Sequence, residues 1–114
     1  MITIWHNNRC GKSRDAKALL EEKGLEFEVF EYLKSAFSKE ELLRVMAQLK
    51  IKDVKDMLRH TETEYKELGI ENKSQNEILD LVVQNPKLVQ RPIIVKDNQA
   101  VIARPIEKLI NLLS

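Results

Sequence analysis

ITIWHNNRCGKSRDAKALLEEKGLEFEVF, residues 2–30, is the stretch on which the fold turns. Ile2, Thr3, Ile4 and Trp5 alternate in the manner of a short strand. From Gly11 the period changes: Ala16, Leu19 and Leu20 fall on one helical face, and Gly24 is a natural stop just past its end. Leu25, Phe27 and Val29 then alternate with Glu26 and Glu28, as in a second strand. Strand, helix and strand within about thirty residues make a βαβ unit, whose two strands run parallel.

Beyond this unit the pattern is helical. Ser38-Lys39-Glu40-Glu41 is a capping box, followed by a stripe of Leu42, Leu43, Met46 and Leu49. A short piece is expected over Asp53 to Leu58. Thr61 to Glu64 offers a cap for another short helix, with Tyr65 and Leu68 inward and Gly69 closing it. Ser74 to Glu77 is a second capping box, and Ile78, Leu81 and Val82 form the apolar face behind it. Asn85-Pro86 ends that helix. Strands then return: Ile93-Ile94-Val95 and Ala100-Val101-Ile102 flank Asp97-Asn98, a hairpin turn. Pro105 suits a first helical position, before a helix carrying Ile106, Leu109, Ile110 and Leu113. The whole reads as an α/β fold, βαβ then ββα, with a mixed four-stranded sheet. A helical insertion lies at about 38–85, within one domain spanning 1–114.

Composition narrows the function. Apolar residues make up 43% of the 114 and charged residues 32%, and the charges nearly cancel at +1. That balance supports a real core and argues against disorder and against a broad nucleic-acid footprint. No apolar run approaches ~18 residues, so no membrane span is expected. Met1 to Trp5 lack the basic and apolar regions of a signal peptide. A single cysteine makes no internal disulfide. These features point to the cytoplasm, where thiols stay reduced.

That cysteine, Cys10, falls where the first strand ends and the first helix begins. Helix N-termini present unpaired N–H groups and partial positive charge, which favour a thiolate. His6, Arg9, Lys12 and Arg14 add cationic or potentially cationic groups. Ser13, in the first helical turn, is positioned to donate its hydroxyl to the sulfur. In Cys10-Gly11-Lys12-Ser13 a serine stands where a dithiol motif has its second cysteine, so a resolving thiol has to come from another molecule. A buried, inert thiol is the commoner fate of a free cysteine, but the neighbours here are Arg9, Gly11 and Lys12 rather than core residues.

Two arginines precede prolines, in Gln90-Arg91-Pro92 and Ala103-Arg104-Pro105. The residue before proline is pushed toward extended geometry, which puts each arginine at an element boundary. Arg59 follows the short piece in the middle block. Three arginines converging on a thiolate would bind a tetrahedral oxyanion through charge-assisted bonds; taken singly, each is an ordinary surface charge. The C-x5-R loop of low-molecular-weight phosphatases does not fit, because the sixth residue after Cys10 is Ala16. His6, His60 and one cysteine do not make a metal site, and no glycine-rich phosphate loop is present.

The chain resembles the glutaredoxin-coupled arsenate reductase family, also called the ArsC family. The resemblance is carried by His6-Asn7-x-x-Cys10-Gly11-x-Ser13-Arg14, Leu58-Arg59, Tyr65-x-x-Leu68-Gly69, Asn85-Pro86-x-Leu88, Gln90-Arg91-Pro92-Ile93 and Arg104-Pro105. It implies a thioredoxin-like fold with a helical insertion, in agreement with the element order above. It also implies roles. Cys10 attacks arsenate, His6 favours its thiolate and Ser13 orients it. Arg59, Arg91 and Arg104 hold the oxyanion. Pro92 is a cis-proline facing the cysteine, and Asn7 and Gly11 support the site. Glutathione is the co-substrate and glutaredoxin the partner, with no bound cofactor, no metal, and a monomeric protein. Asn8 stands where family members commonly have proline, and Arg9 and Lys12 where smaller or uncharged residues are usual. Two other readings share the fold: a glutathione-dependent thiol–disulfide reductase, and a regulator of the Spx type, which typically carries C-x-x-C.

Overall fold

Strand β1 (Ile2–Trp5) pairs in parallel with β2 (Glu28–Phe30) and antiparallel with β3 (Ile93–Lys96), which pairs antiparallel with β4 (Gln99–Ile102). The sheet order is therefore β2-β1-β3-β4, mixed and four-stranded as expected, with the two most apolar strands inside. The computed structural model describes residues 1–114 as two compact units. One is Met1–Ser35 with Arg91–Ser114, which holds the sheet; the other is Ala36–Gln90.

In the sheet unit the period-2 alternation of β1 sends Ile2 and Ile4 to one face and Trp5 to the other. Ile2, Ile4 and Ile94 pack with Ala16 and Leu20 of α1 (Gly11–Glu22) and Leu109 of α5 (Glu107–Leu113), with Phe27 and Val101 at the margin. On the opposite face the Trp5 ring meets Phe30 edge-on at 4.9 Å and Tyr32 at 6.0 Å. This is the thioredoxin-like arrangement of βαβ and ββα around one sheet.

Some local expectations are corrected here. The second strand is only three residues long, because Leu25 belongs to the cap of α1. Gly24, at φ 68°, donates to Glu21 O, and Leu25 donates to Leu20 O at 3.2 Å; this double closure needs a left-handed residue at Gly24. Leu25 and Val29 are left exposed along the sheet edge. Pro105 is not at the first helical position. It lies in the turn before α5, where its carbonyl accepts the Lys108 N–H at 3.1 Å, and Ile110 faces outward. The hairpin turn forms as read, with Asp97 at φ 57°.

The helical unit contains α2 (Lys39–Leu49), α3 (Thr63–Glu67) and α4 (Gln75–Gln84), with short 3-10 turns at Val54–Met57, Ile70–Asn72 and Pro86–Leu88. Both capping boxes form: Ser38 accepts from Glu41 N, and Ser74 from Glu77 N, each glutamate reaching back to the cap N–H. The inward stripe of α2 is Leu42, Val45 and Met46, with Leu43 exposed. That of α4 includes Leu79 beside Ile78 and Val82, with Leu81 only half-buried. Thr61 does not cap α3; the chain enters at Glu62, which makes no side-chain cap. Gly69 turns the chain at φ 64°, and Tyr65 donates its hydroxyl to Glu71 at 2.6 Å across that turn. An antiparallel bridge joins Leu58 to Val89, with Arg59 N–H donating to Leu88 O and Gln90 N–H to Met57 O. No helix is long and apolar enough to cross a membrane.

Losing a cap hydroxyl leaves a helix-end N–H without its partner. Ser38→Ala and Ser74→Ala are each expected to cost about 1 kcal/mol. Leu20→Ala, at a fully buried position, is expected to cost about 2–5 kcal/mol. Urea midpoints at unchanged slope check all three.

Candidate active site

Cys10 is the N-cap residue of α1, with extended φ −96° and ψ 122°, and it is 7% exposed. The loop leading to it closes through Cys10 N–H to Asn7 O at 2.9 Å, and Arg9 N–H to Asn7 Oδ1 at 3.0 Å. Asn7 thus shapes the loop with both its carbonyls. The first turn of α1 holds no acidic residue, so nothing opposes the positive end of the helix at the sulfur.

Burial pushes the Cys10 thiol up, and it is the largest single influence. The Ser13 N–H, the Arg91 side chain by hydrogen bond and charge, and the Lys12 N–H together outweigh it, leaving the thiol below its ordinary value of 9.0. Arg104 adds a contact from Nη2 to Sγ at 3.8 Å, while its Nε donates to Arg91 O at 2.6 Å. A lysine has no second donor held at a fixed angle to serve both partners, so this position suits a guanidinium.

Arg91 and Arg104 meet because of the β3–β4 hairpin. Ile93 pairs with Ile102, and Ala103 N–H donates to Pro92 O at 3.0 Å. Continuing that register one more step sets Arg91 opposite Arg104, on the two strand ends that flank the sulfur. This convergence was not read from the sequence, although the turn at Asp97-Asn98 carried the signal: a hairpin centred there makes Arg91 and Arg104 partners. The Arg91–Pro92 bond is cis, as the resemblance implied; Arg104–Pro105 is also cis, which no sequence feature had indicated.

Ser13 and His6 act differently from the reading in sequence. Ser13 is fully buried, and its hydroxyl is engaged away from the sulfur. It accepts from Asn7 N–H at 3.0 Å and pairs with His6 Nδ1 at 2.7 Å. The Ser13 group that reaches the thiol is its backbone N–H. His6 is 3% exposed, and its Nε2 faces Asn8 Oδ1 at 3.4 Å. It therefore bears on Cys10 through Ser13 and the loop. A Cβ at Gly11 would meet only Arg14 Nη2, at an ordinary 3.8 Å, so nothing there demands glycine. Arg59 belongs to the helical unit, where its Nη1 pairs with Glu62 at 2.7 Å.

The sheet unit is thioredoxin-like, with the chain's single cysteine at a helix N-terminus and Arg91 and Arg104 beside its sulfur. Residues 5–111 match the family model described as ArsC family, and the chain belongs to that family. The arsenate reductase of Haemophilus influenzae is 36% identical over 114 residues, covering 98% of each chain. That of Neisseria meningitidis serogroup A is 36% identical over 110 residues, covering 95% of this chain and 94% of the relative. The solved structure of the arsenate reductase from Vibrio cholerae superposes with a TM-score of 0.93 at 38% identity, over 96% of this chain and 95% of that one.

Removing Arg91 takes away both a hydrogen bond and a charge. The midpoint of Cys10 alkylation by iodoacetamide against pH should therefore rise toward 9.0 in Arg91→Ala. Because the folded value lies below the unfolded one, ionised Cys10 stabilises the fold fully above pH about 9, and this is lost as pH falls through the folded value. The melting-temperature gap between wild type and Cys10→Ser should shrink in that direction.

Proposed function

We propose that this protein reduces arsenate, or a closely related oxyanion, to arsenite. On this reading it acts as a monomer in the reducing cytoplasm, with glutathione as co-substrate and glutaredoxin as partner. The observation that carries this reading is the lowered thiol of Cys10 beneath Arg91 and Arg104, in a family whose similar members are named for arsenate reduction.

The chemistry follows from one thiol. The Cys10 thiolate attacks arsenic(V); an As–O bond breaks and its oxygen leaves as water, carrying one proton from arsenate and one from solvent. The product is a Cys10–S–As(V) adduct. Arg91 and Arg104 offset the charge on the arsenic oxygens during this step, and the resemblance adds Arg59 as a third cation. A glutathione thiolate then attacks Cys10 sulfur. The S–S bond forms as the S–As bond breaks, and its electron pair stays on arsenic, which leaves as arsenite(III). Two sulfurs have been oxidised and one arsenic reduced by two electrons. Glutaredoxin takes the glutathionyl group by thiol–disulfide exchange and restores Cys10. Ser13 in place of a second cysteine suits this dependence on outside thiols. The reading calls for no metal or organic cofactor.

Purified protein with arsenate, glutathione, glutaredoxin, glutathione reductase and NADPH should oxidise NADPH, and Cys10→Ser should abolish turnover. Arg91→Ala and Arg104→Ala should lower kcat/KM by about a hundredfold, and Arg59→Ala by about tenfold. Arsenate turnover no higher than in Cys10→Ser refutes the proposal. Glutathione–disulfide exchange without arsenate turnover would indicate a thiol reductase instead. A stable RNA polymerase complex insensitive to Cys10→Ser would indicate a regulator.

A further inference from the structure

Beside the Asn7–Cys10 loop the sheet unit has a cleft of about 320 Å³, lined by His6, Asn7, Asn8, Arg9, Glu31, Leu33 and Lys34. That volume is at the lower end of small-molecule sites, which run from about 300 to 1,000 Å³. The cleft shares His6 to Arg9 with the active-site loop, and Arg9 adjoins Cys10 in the chain. The far wall is fixed by a turn in which Lys34 and Ser35 N–H both donate to Glu31 O at 2.9 Å. Leu33 leaves an apolar side chain 42% exposed in that wall.

The charges in this cleft are specific in number. There are two cations, Arg9 and Lys34, one carboxylate, Glu31, and the two amides of Asn7 and Asn8. Lys34 Nζ and Glu31 Oε1 face each other at 3.4 Å with both side chains well exposed. A surface pair of this kind is worth little and opens readily to a ligand that offers the opposite charges. The complement of the set is a small peptide with two carboxylates, one ammonium and amide groups between them.

We propose that this cleft is the recognition subsite for the tripeptide thiol that resolves Cys10. The claim rests on the glutathione-dependent reading above and deepens it. In γ-glutamyl-cysteinyl-glycine the glycyl carboxylate is the arm nearer the thiol, and the γ-glutamyl arm is longer by two methylenes. Arg9, next to Cys10, takes the nearer carboxylate. Glu31 and Lys34 take the ammonium and carboxylate at the end of the longer arm, with Leu33 against its methylenes. Asn7 and Asn8 face the peptide groups. This arrangement carries the ligand's thiol on the Arg9 side of the cleft, and Arg9 is next in sequence to Cys10.

The test uses the full chain and a probe that does no redox chemistry. S-methylglutathione is titrated into 15N-labelled protein. Saturable amide shifts are expected at Asn8, Arg9, Glu31, Leu33 and Lys34. Arg9→Ala/Lys34→Ala is expected to weaken binding about tenfold, and Lys34→Glu at least as much, with unchanged circular dichroism. Shifts confined to other regions, no saturable binding, or unchanged affinity in the variants each overturn the subsite. Kinetics separate this from the parent reading. The Lys34→Glu variant should raise KM for glutathione about tenfold, leave KM for arsenate unchanged, and match wild type when 2-mercaptoethanol is the thiol. An unaltered KM for glutathione overturns the subsite while arsenate reduction stands. Binding as expected, with no arsenate turnover by any thiol, upholds the subsite and removes the arsenate reading.

Discussion

The site depends on one buried hydroxyl. Ser13 Oγ takes the Asn7 N–H and pairs with His6 Nδ1, at full burial. It thereby pins three pieces of chain together: the residue just after β1, the loop, and the first turn of α1. A buried N–H or ring nitrogen left without a partner costs about 1–3 kcal/mol, so the loop has little freedom to take another shape. Its consequence is the setting of Cys10, whose extended backbone starts α1 and whose sulfur lies against the Ser13 and Lys12 N–H groups. Serine in place of a second cysteine is thus a structural member in its own right.

The balance at the sulfur is a contest between burial and donors. Desolvation alone would hold Cys10 as an inert thiol, the ordinary fate of a buried cysteine. Backbone N–H groups and a guanidinium reverse that outcome because their dipoles and charge are already oriented and need no rearrangement when the thiolate forms. Burial then becomes useful: in a site shielded from water the same donors act more strongly on the charge.

Much of the fold was legible in sequence because its signals are local. Alternation in β1, the glycine stop at Gly24, the two capping boxes and the Asp97-Asn98 turn each fall within a few residues. What was misread depended on tertiary context. Leu25 looked like a strand residue until the helix cap claimed it. Leu43 and Ile110 fit a helical stripe but face outward, while Val45 and Leu79 turn in. Leucine and isoleucine at the margin of a stripe satisfy the period whichever way the helix is rolled. At the site, the cysteine and its helix were legible. The destination of the Ser13 hydroxyl was not, since a serine in the first turn can serve either the sulfur or the loop with equal local plausibility.

The bond from Arg104 Nε to the Arg91 carbonyl joins two positions thirteen residues apart into one mechanical part. A guanidinium that uses one edge on the facing strand's backbone and another on the thiol is held in place by the hairpin itself. Both guanidiniums also act on the one sulfur, so the two side chains are coupled through Cys10. The hairpin between them, though remote from any chemistry, carries their constraint: an insertion or deletion of one residue at Asp97-Asn98 would slide the two arginines out of register.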